Sequence, residues 1–199
     1  MDTEELRADA LAAKAAEASN GTDPLEAVCR RLLELVGENP DREGLRDTPR
    51  RWAAWWREFT SYDPGTVDTT FASVHTDQMV AVTGVRVWSL CEHHLLPFHA
   101  DLTMAYIADD RVLGLSKFAR IAQQHAHQLQ VQERLVANIA DHLAYLTGSA
   151  HVAVVAAGEH LCMTMRGVKA PATMHSSVMR GAFRDDPEAR AELFALDRR

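Results

Sequence analysis

Residues 79–107 read MVAVTGVRVWSLCEHHLLPFHADLTMAYI, and this stretch decides the fold. Residues 79–90 are rich in β-branched side chains with alternating character, and residues 101–107 alternate again, so each half is a predicted strand. The short link between them holds CEHHLLPF, residues 91–98. A link that short favours antiparallel pairing.

Downstream, Gly114-Leu115-Ser116 opens a helical region, with Ser116 as its cap and Phe118, Ile121 and Ala122 as its apolar face. Val131, Leu135, Ile139, His142 and Leu146 recur at steps of three and four, and Thr147-Gly148 stops this second helix. Residues 151–157 and 161–168 then read as two further strands. The order strand, strand, helix, helix, strand, strand predicts an α+β domain with an antiparallel sheet.

Upstream, Asp23 is placed to cap a helix whose first turn holds Pro24 and Glu26. Leu25, Val28, Cys29, Leu32, Leu33 and Val36 share one face of it and Gly37 closes it, which makes Cys29 a core residue. Thr48-Pro49 caps another helix, whose Trp52, Trp56 and Phe59 read as packing residues. Residues 187–196 suggest a short terminal helix. The expected segments are an acidic, Ala-rich flexible arm at 1–21, a helical region at 22–70 and a catalytic domain at 71–199.

Composition narrows the function classes. The hydrophobic share of 47% and charged share of 25% suit a soluble globular chain. No signal segment or apolar run of membrane length is evident, so a cytoplasmic protein with no membrane partner is expected. A formal charge of -7 argues against a general nucleic-acid binder, which gains affinity from excess Lys and Arg. It leaves room for a small phosphorylated ligand, because the charges lining a cleft set its field. Three widely spaced cysteines fit reduced thiols or metal ligands better than disulfides.

The chemistry-bearing residues begin with Cys91-Glu92-His93-His94, where Cys-x-x-His spacing lets Cys91 and His94 converge on one ion. A structural zinc site would need a second ligand pair, which the sequence does not offer. Cys162 is instead a candidate third ligand, alternating with His160 along the expected strand. Three protein ligands leave a position for water, whose pKa a zinc ion lowers to about 7. His93 and His160 would be free to move protons nearby. The competing interpretation is that all five are ordinary core and surface residues.

Ser116, Lys117 and Arg120 open a helix in a way that suits phosphate, although a solvated cationic face has the same appearance. Glu133 in Gln130-Val131-Gln132-Glu133-Arg134 is a carboxylate able to accept two N–H donors from a guanine edge.

The motifs CEHHLLPF, GLSKFAR, QVQERL and EHLCMTMRG, in this order and spacing, resemble GTP cyclohydrolase I. The resemblance covers residues 41–183 and includes REGLRDTPRR before the aromatic helix. It implies a tunnelling fold, in which such units assemble side by side into a barrel, and a homodecamer with active sites between subunits. It implies a Zn2+ cofactor on Cys91, His94 and Cys162, GTP as substrate, and formate and 7,8-dihydroneopterin triphosphate as products. His93 and His160 take proton-transfer roles, with Ser116 and Gln132 as positioning groups. Glu133 pairs with guanine, while Lys117, Arg120, Arg166 and Arg51 hold the triphosphate.

Two departures stand out: residues 169–177 lack the usual run of threonines, and Ala100 stands where glycine is frequent. A non-catalytic nucleotide-binding relative would not need the His93 and His160 pair. The nitrile reductases of the same fold require a nucleophilic cysteine motif that is not found.

Overall fold

The computed structural model describes residues 23–73 and 77–197, so the arm expected at 1–21 lies outside the described residues. The chain divides into two compact units, with the boundary between Ser61 and Tyr62.

The first unit holds α1 (Pro24–Leu35) and α2 (Thr48–Thr60). Asp23 caps α1 as expected, its carboxylate accepting from Leu25 N at 2.9 Å while also pairing with Arg57. Gly37, at φ 86°, takes the left-handed turn that follows α1 and favours glycine. Cys29 is buried, as its place on the apolar face requires. At α2 the cap is Asp47 rather than Thr48, and Thr48 is the first helical residue, immediately before Pro49.

The second unit is built on a five-stranded sheet in the order β5-β2-β3-β6-β7. Its strands are β2 (Gln78–Cys91), β3 (Pro97–Ala108), β5 (Leu129–Gln130), β6 (Val152–His160) and β7 (Met174–Met179). A separate two-stranded ribbon pairs β1 (Thr70–Ala72) with β4 (Arg111–Leu113). β2, β3, β6 and β7 pair antiparallel, while the short β5 runs parallel to β2. The hairpin read from residues 79–107 is therefore present, with Trp88 opposite His99 and Leu90 opposite Pro97. A register shift between Val82 and Val85 marks an irregularity, and Gly84 there has φ 70°.

Two long helices, α3 (Leu115–Ala126) and α4 (Gln132–Thr147), cover one face of the sheet. Phe118, Ile121, Leu135, Ile139 and Leu143 bury themselves against Val87, Leu102, Met104 and Val154. Burial of each large apolar side chain contributes roughly 1.5–3 kcal/mol before entropy is counted. Ser116 is not the cap of α3: Gly114 holds that position, and Ser116 lies exposed in the first turn. Gly148 ends α4 in the left-handed conformation, as the sequence predicts. On the other face Phe183 and Leu193, from α6 (Ala182–Asp185) and α7 (Pro187–Asp197), pack on Ala105 and Ala153.

The strand expected at 161–168 is absent. In its place is the helical turn α5 (Leu161–Thr164), followed by Gly167 at φ 63°, and the fourth long strand is β7. Leu and Met favour helix over strand, and β6 runs on to His160, so the chain has already left the sheet by Leu161. No helix among the described residues is long and apolar enough to cross a membrane.

Between α3 and α4, His125 Nε2 and His142 Nδ1 lie 3.1 Å apart. Burial, and then His142, hold the His125 pKa down to about 4, and burial lowers that of His142. The folded chain keeps His125 neutral, while the unfolded chain takes up a proton near its ordinary 6.5. This pair therefore supports the fold fully above pH 6.5, and that support is lost as pH falls from about 6.5 to about 4. Urea midpoints should drop between pH 7 and pH 5, and a His125→Phe variant should show a smaller drop. An equal drop in both proteins would contradict the assignment.

Candidate functional site

β2 ends at Cys91, and the chain turns at once. Leu95 N and His94 N both bond back to Cys91 O, at 2.8 and 3.2 Å, while Cys91 N donates to Leu96 O at 2.8 Å. Leu95 takes φ 54° to complete the turn. This winding returns the His94 ring to Cys91, with Nδ1 3.7 Å from Sγ. The His93 ring is close as well, its Nδ1 3.8 Å from the same sulfur.

Cys162 arrives from the end of β6, which lies across β3 from β2. β6 pairs with β3 up to His160 opposite Phe98, and α5 then carries Cys162 inward. The sequence expectation that His160 and Cys162 share a strand face is thus replaced by a strand-to-helix corner. The donor atoms of Cys91, His94 and Cys162 lie within 4.8 Å of one another. Among the described residues no other group of three or more His, Cys, Asp or Glu side chains is arranged to hold a metal ion.

The electrostatics fit a cation. Burial first, and then its neighbour Cys91, push the Cys162 thiol above its ordinary value, because a second nearby thiolate is unfavourable without positive charge. A metal ion reverses that balance and deprotonates a coordinating thiol. Cys91 is buried, Cys162 half-buried and His94 exposed, so the cluster is open on the histidine side. Arg166 Nη1 donates to His94 Nε2 at 3.3 Å there.

A buried polar network lies alongside. Gln132, at the start of α4, is fully buried. Its amide nitrogen donates to Met174 O at 3.0 Å and Ser176 Oγ at 3.1 Å, which leaves Oε1 as the acceptor 3.0 Å from His160 Nε2. His160 therefore carries its proton on Nε2. The His160 ring stacks on Phe98, with centroids 4.5 Å apart and planes 7° from parallel. Burial lowers its pKa, and the nearby Glu133 carboxylate opposes that shift. Glu133 is exposed on the next residue of α4.

Gly158 makes this packing possible. A Cβ there would overlap Gln132 Oε1 and sit 2.8 Å from His99 O. Glu92 joins the turn to α4 through a paired contact with Arg134, at 2.7 and 2.8 Å. Gly158, Ser176 and the Glu92–Arg134 pair are missed by sequence reasoning, and only the pair has a visible signal, in the charged residues of CEHH and QVQERL.

The structure does not bring every candidate together. The C-terminal end of α3 adjoins the Cys91 end of β2, through Ser89 Oγ on Ala126 O at 2.7 Å. Ser116, Lys117 and Arg120 lie toward the other end of a helix about 18 Å long. Arg51 belongs to the first unit, where it pairs with Asp47 at 3.3 Å.

Fold and site together define an α+β protein with a Cys-His-Cys cluster able to hold a metal ion and open on one side. A family model described as GTP cyclohydrolase I matches residues 25–198. The chain belongs to the GTP cyclohydrolase I family and is an enzyme of the hydrolase class. It is 48% identical over 171 residues to GTP cyclohydrolase 1 1 of Pseudomonas syringae pv. tomato, covering 83% of this chain and 90% of that one. It is 48% identical over 178 residues to GTP cyclohydrolase 1 of Mycobacteroides abscessus, covering 86% and 87% of the two chains. The corresponding protein of Hyperthermus butylicus is 42% identical over 172 residues, covering 86% and 89%.

Proposed function

We propose that this chain opens the imidazole ring of GTP by hydrolysis, releasing formate and forming 7,8-dihydroneopterin triphosphate. The observation that carries this reading is the convergence of Cys91, His94 and Cys162 beside His93 and the Gln132–His160 pair. The three ligands suit Zn2+, which has a strong preference for thiolate and imidazole in a tetrahedral site. When bound, the ion supplies a Lewis acid and a water activated at neutral pH, the nucleophile that C8 of guanine requires.

The chain's own groups do the rest. His160 presents its Nε2 proton to Gln132 and keeps Nδ1 as an acceptor, so its ring is held in one tautomer and one orientation. His93, exposed on the turn beside Cys91, is free to protonate a ring nitrogen as the C8 bonds break. Gln132 acts through His160 as a positioning group. Glu133, beside this pair, receives the N–H edge of guanine. Arg166 stands at the open side of the cluster, where the triphosphate has a cation to meet.

Ser116, Lys117 and Arg120 lie in the first half of α3, away from the end that adjoins their own chain's cluster, which supports a site completed by a second copy. We therefore assign the chain a tunnelling fold assembled as a homodecamer, with Arg51, Lys117 and Arg120 binding the triphosphate of GTP across subunit boundaries. The assay is direct: zinc-replete protein incubated with GTP should release formate and yield a pterin that fluoresces after oxidation. GTP that binds yet remains intact would instead make the chain a nucleotide-binding relative without catalysis.

A further inference from the structure

Residues 62–69 run antiparallel to α3 and are tied to it at four points. Tyr62 stacks on His127, the residue that closes α3, with ring centroids 4.1 Å apart and planes 16° from parallel. Pro64 O accepts from Arg120 Nη1. Thr66 O accepts from Lys117 Nζ at 2.6 Å, and Thr69 O accepts from Gly114 N at 3.2 Å. Val67 packs onto the core and anchors the segment.

The bend in this strap is specified by two residues. Asp63 Oδ1 accepts from Gly65 N at 2.7 Å, and Gly65 takes φ 63°. A Cβ on Gly65 would lie 2.6 Å from Arg120 Nη1 and would displace the guanidinium, so glycine serves both the turn and the placement of Arg120.

The partners of these two cations set them apart from many others in the chain. Arg30, Arg86, Arg134 and Arg180 are held by Asp41, Asp101, Glu92 and Asp141. Lys117 and Arg120 are held by backbone carbonyls, and among the described residues neither forms an ion pair. A carboxylate neutralises the cation it positions. A carbonyl fixes the direction of the side chain and leaves its full charge for an incoming anion. Holding two long side chains in place beforehand also removes their ordering cost from the binding step.

We propose, building on the cyclohydrolase reading above, that residues 62–69 form an aiming strap that preorganises Lys117 and Arg120 for the triphosphate, with Asp63 and Gly65 as positioning residues. The strap should govern affinity for the phosphate chain and leave recognition of the base untouched. The test uses two competitive inhibitors of zinc-replete enzyme, inorganic tripolyphosphate and guanosine.

Asp63→Ala should raise the tripolyphosphate Ki and the GTP KM by about threefold to tenfold, as loss of one hydrogen bond allows. The guanosine Ki and kcat should change by less than about twofold. Gly65→Ala should act in the same direction, and Asp63→Asn, which keeps the acceptor oxygen, should restore the wild-type Ki. Asp63 is exposed, so its replacement leaves the core intact. An unchanged tripolyphosphate Ki in both variants, or an equal rise for guanosine, overturns the proposal. If the wild-type protein leaves GTP intact, the cyclohydrolase reading fails instead, and calorimetric binding of tripolyphosphate to the same variants still decides the role of the strap.

Discussion

Cys162→Ala is expected to lose bound zinc and GTP turnover together. Loss of an outer-shell partner typically costs 10–100-fold in metal affinity or activity, so removal of a direct ligand should exceed about 100-fold. The variant keeps Cys91 and His94 on their turn, but two ligands do not hold zinc against dilution. His160 is bonded through Nε2 to Gln132 at 3.0 Å, so it has only Nδ1 to offer in place of the missing sulfur. His93 is a second substitute, 3.8 Å from Cys91 Sγ, so the double variant with His93→Ala separates a rescued site from an intact one. Cys162 is only half-buried, in a four-residue turn, so the sheet and its helices should keep their circular dichroism. Zinc retained at one per chain with normal turnover would remove Cys162 from the ligand set.

The parts of this structure legible in the sequence are those with a periodic signal or a punctuating residue. Alternation in residues 79–90 and 101–107 marks one sheet face, and the structure buries Val87, Leu102, Met104 and Tyr106 on it. The i, i+4 pattern of α4 and its Gly148 stop are equally plain. Cys91 and His94 are legible as candidate metal ligands because cysteines are few and the Cys-x-x-His spacing is compact, whereas Cys162 stands far away in sequence.

What fails to show is geometry carried by residue types with no signature of their own. Residues 161–168 look strand-like because mixed apolar and polar spacing over a short run fits either element, and only Gly167 hints that the chain turns. β7 has exposed His175 and Ser177 on one side, a polar edge that reads as loop. The strap along α3 works through carbonyl oxygens, which every residue possesses, so its sequence is silent about it. Gln132 reads as one more polar residue opening a helix until the sheet is assembled around it.

Gly158→Ala carries the second large expected effect, because the added methyl has nowhere to go. One neighbour is His99 O, 2.8 Å from the new Cβ and fixed in the β3–β6 ladder, so the backbone cannot yield cheaply. The other is the Gln132 amide, which must move and thereby lose its bonds to Ser176, Met174 and His160. Overpacking of this kind costs about 1–3 kcal/mol, and a buried amide left unpaired costs a similar amount. Thermal or urea unfolding should register that loss. Turnover should fall further than stability suggests, by about 100-fold, because a 1 Å displacement of a catalytic ring is enough for a loss of that size. Zinc content should hold near one per chain, since none of the three ligands touches the amide. Adding Gln132→Ala to Gly158→Ala removes the clash with the amide and leaves the one with His99 O, so the pair should be more stable than the sum of the single variants predicts, while turnover stays low. Wild-type turnover in Gly158→Ala, or turnover that falls only in step with zinc, would show that the Gln132–His160 contact does not orient the reacting group.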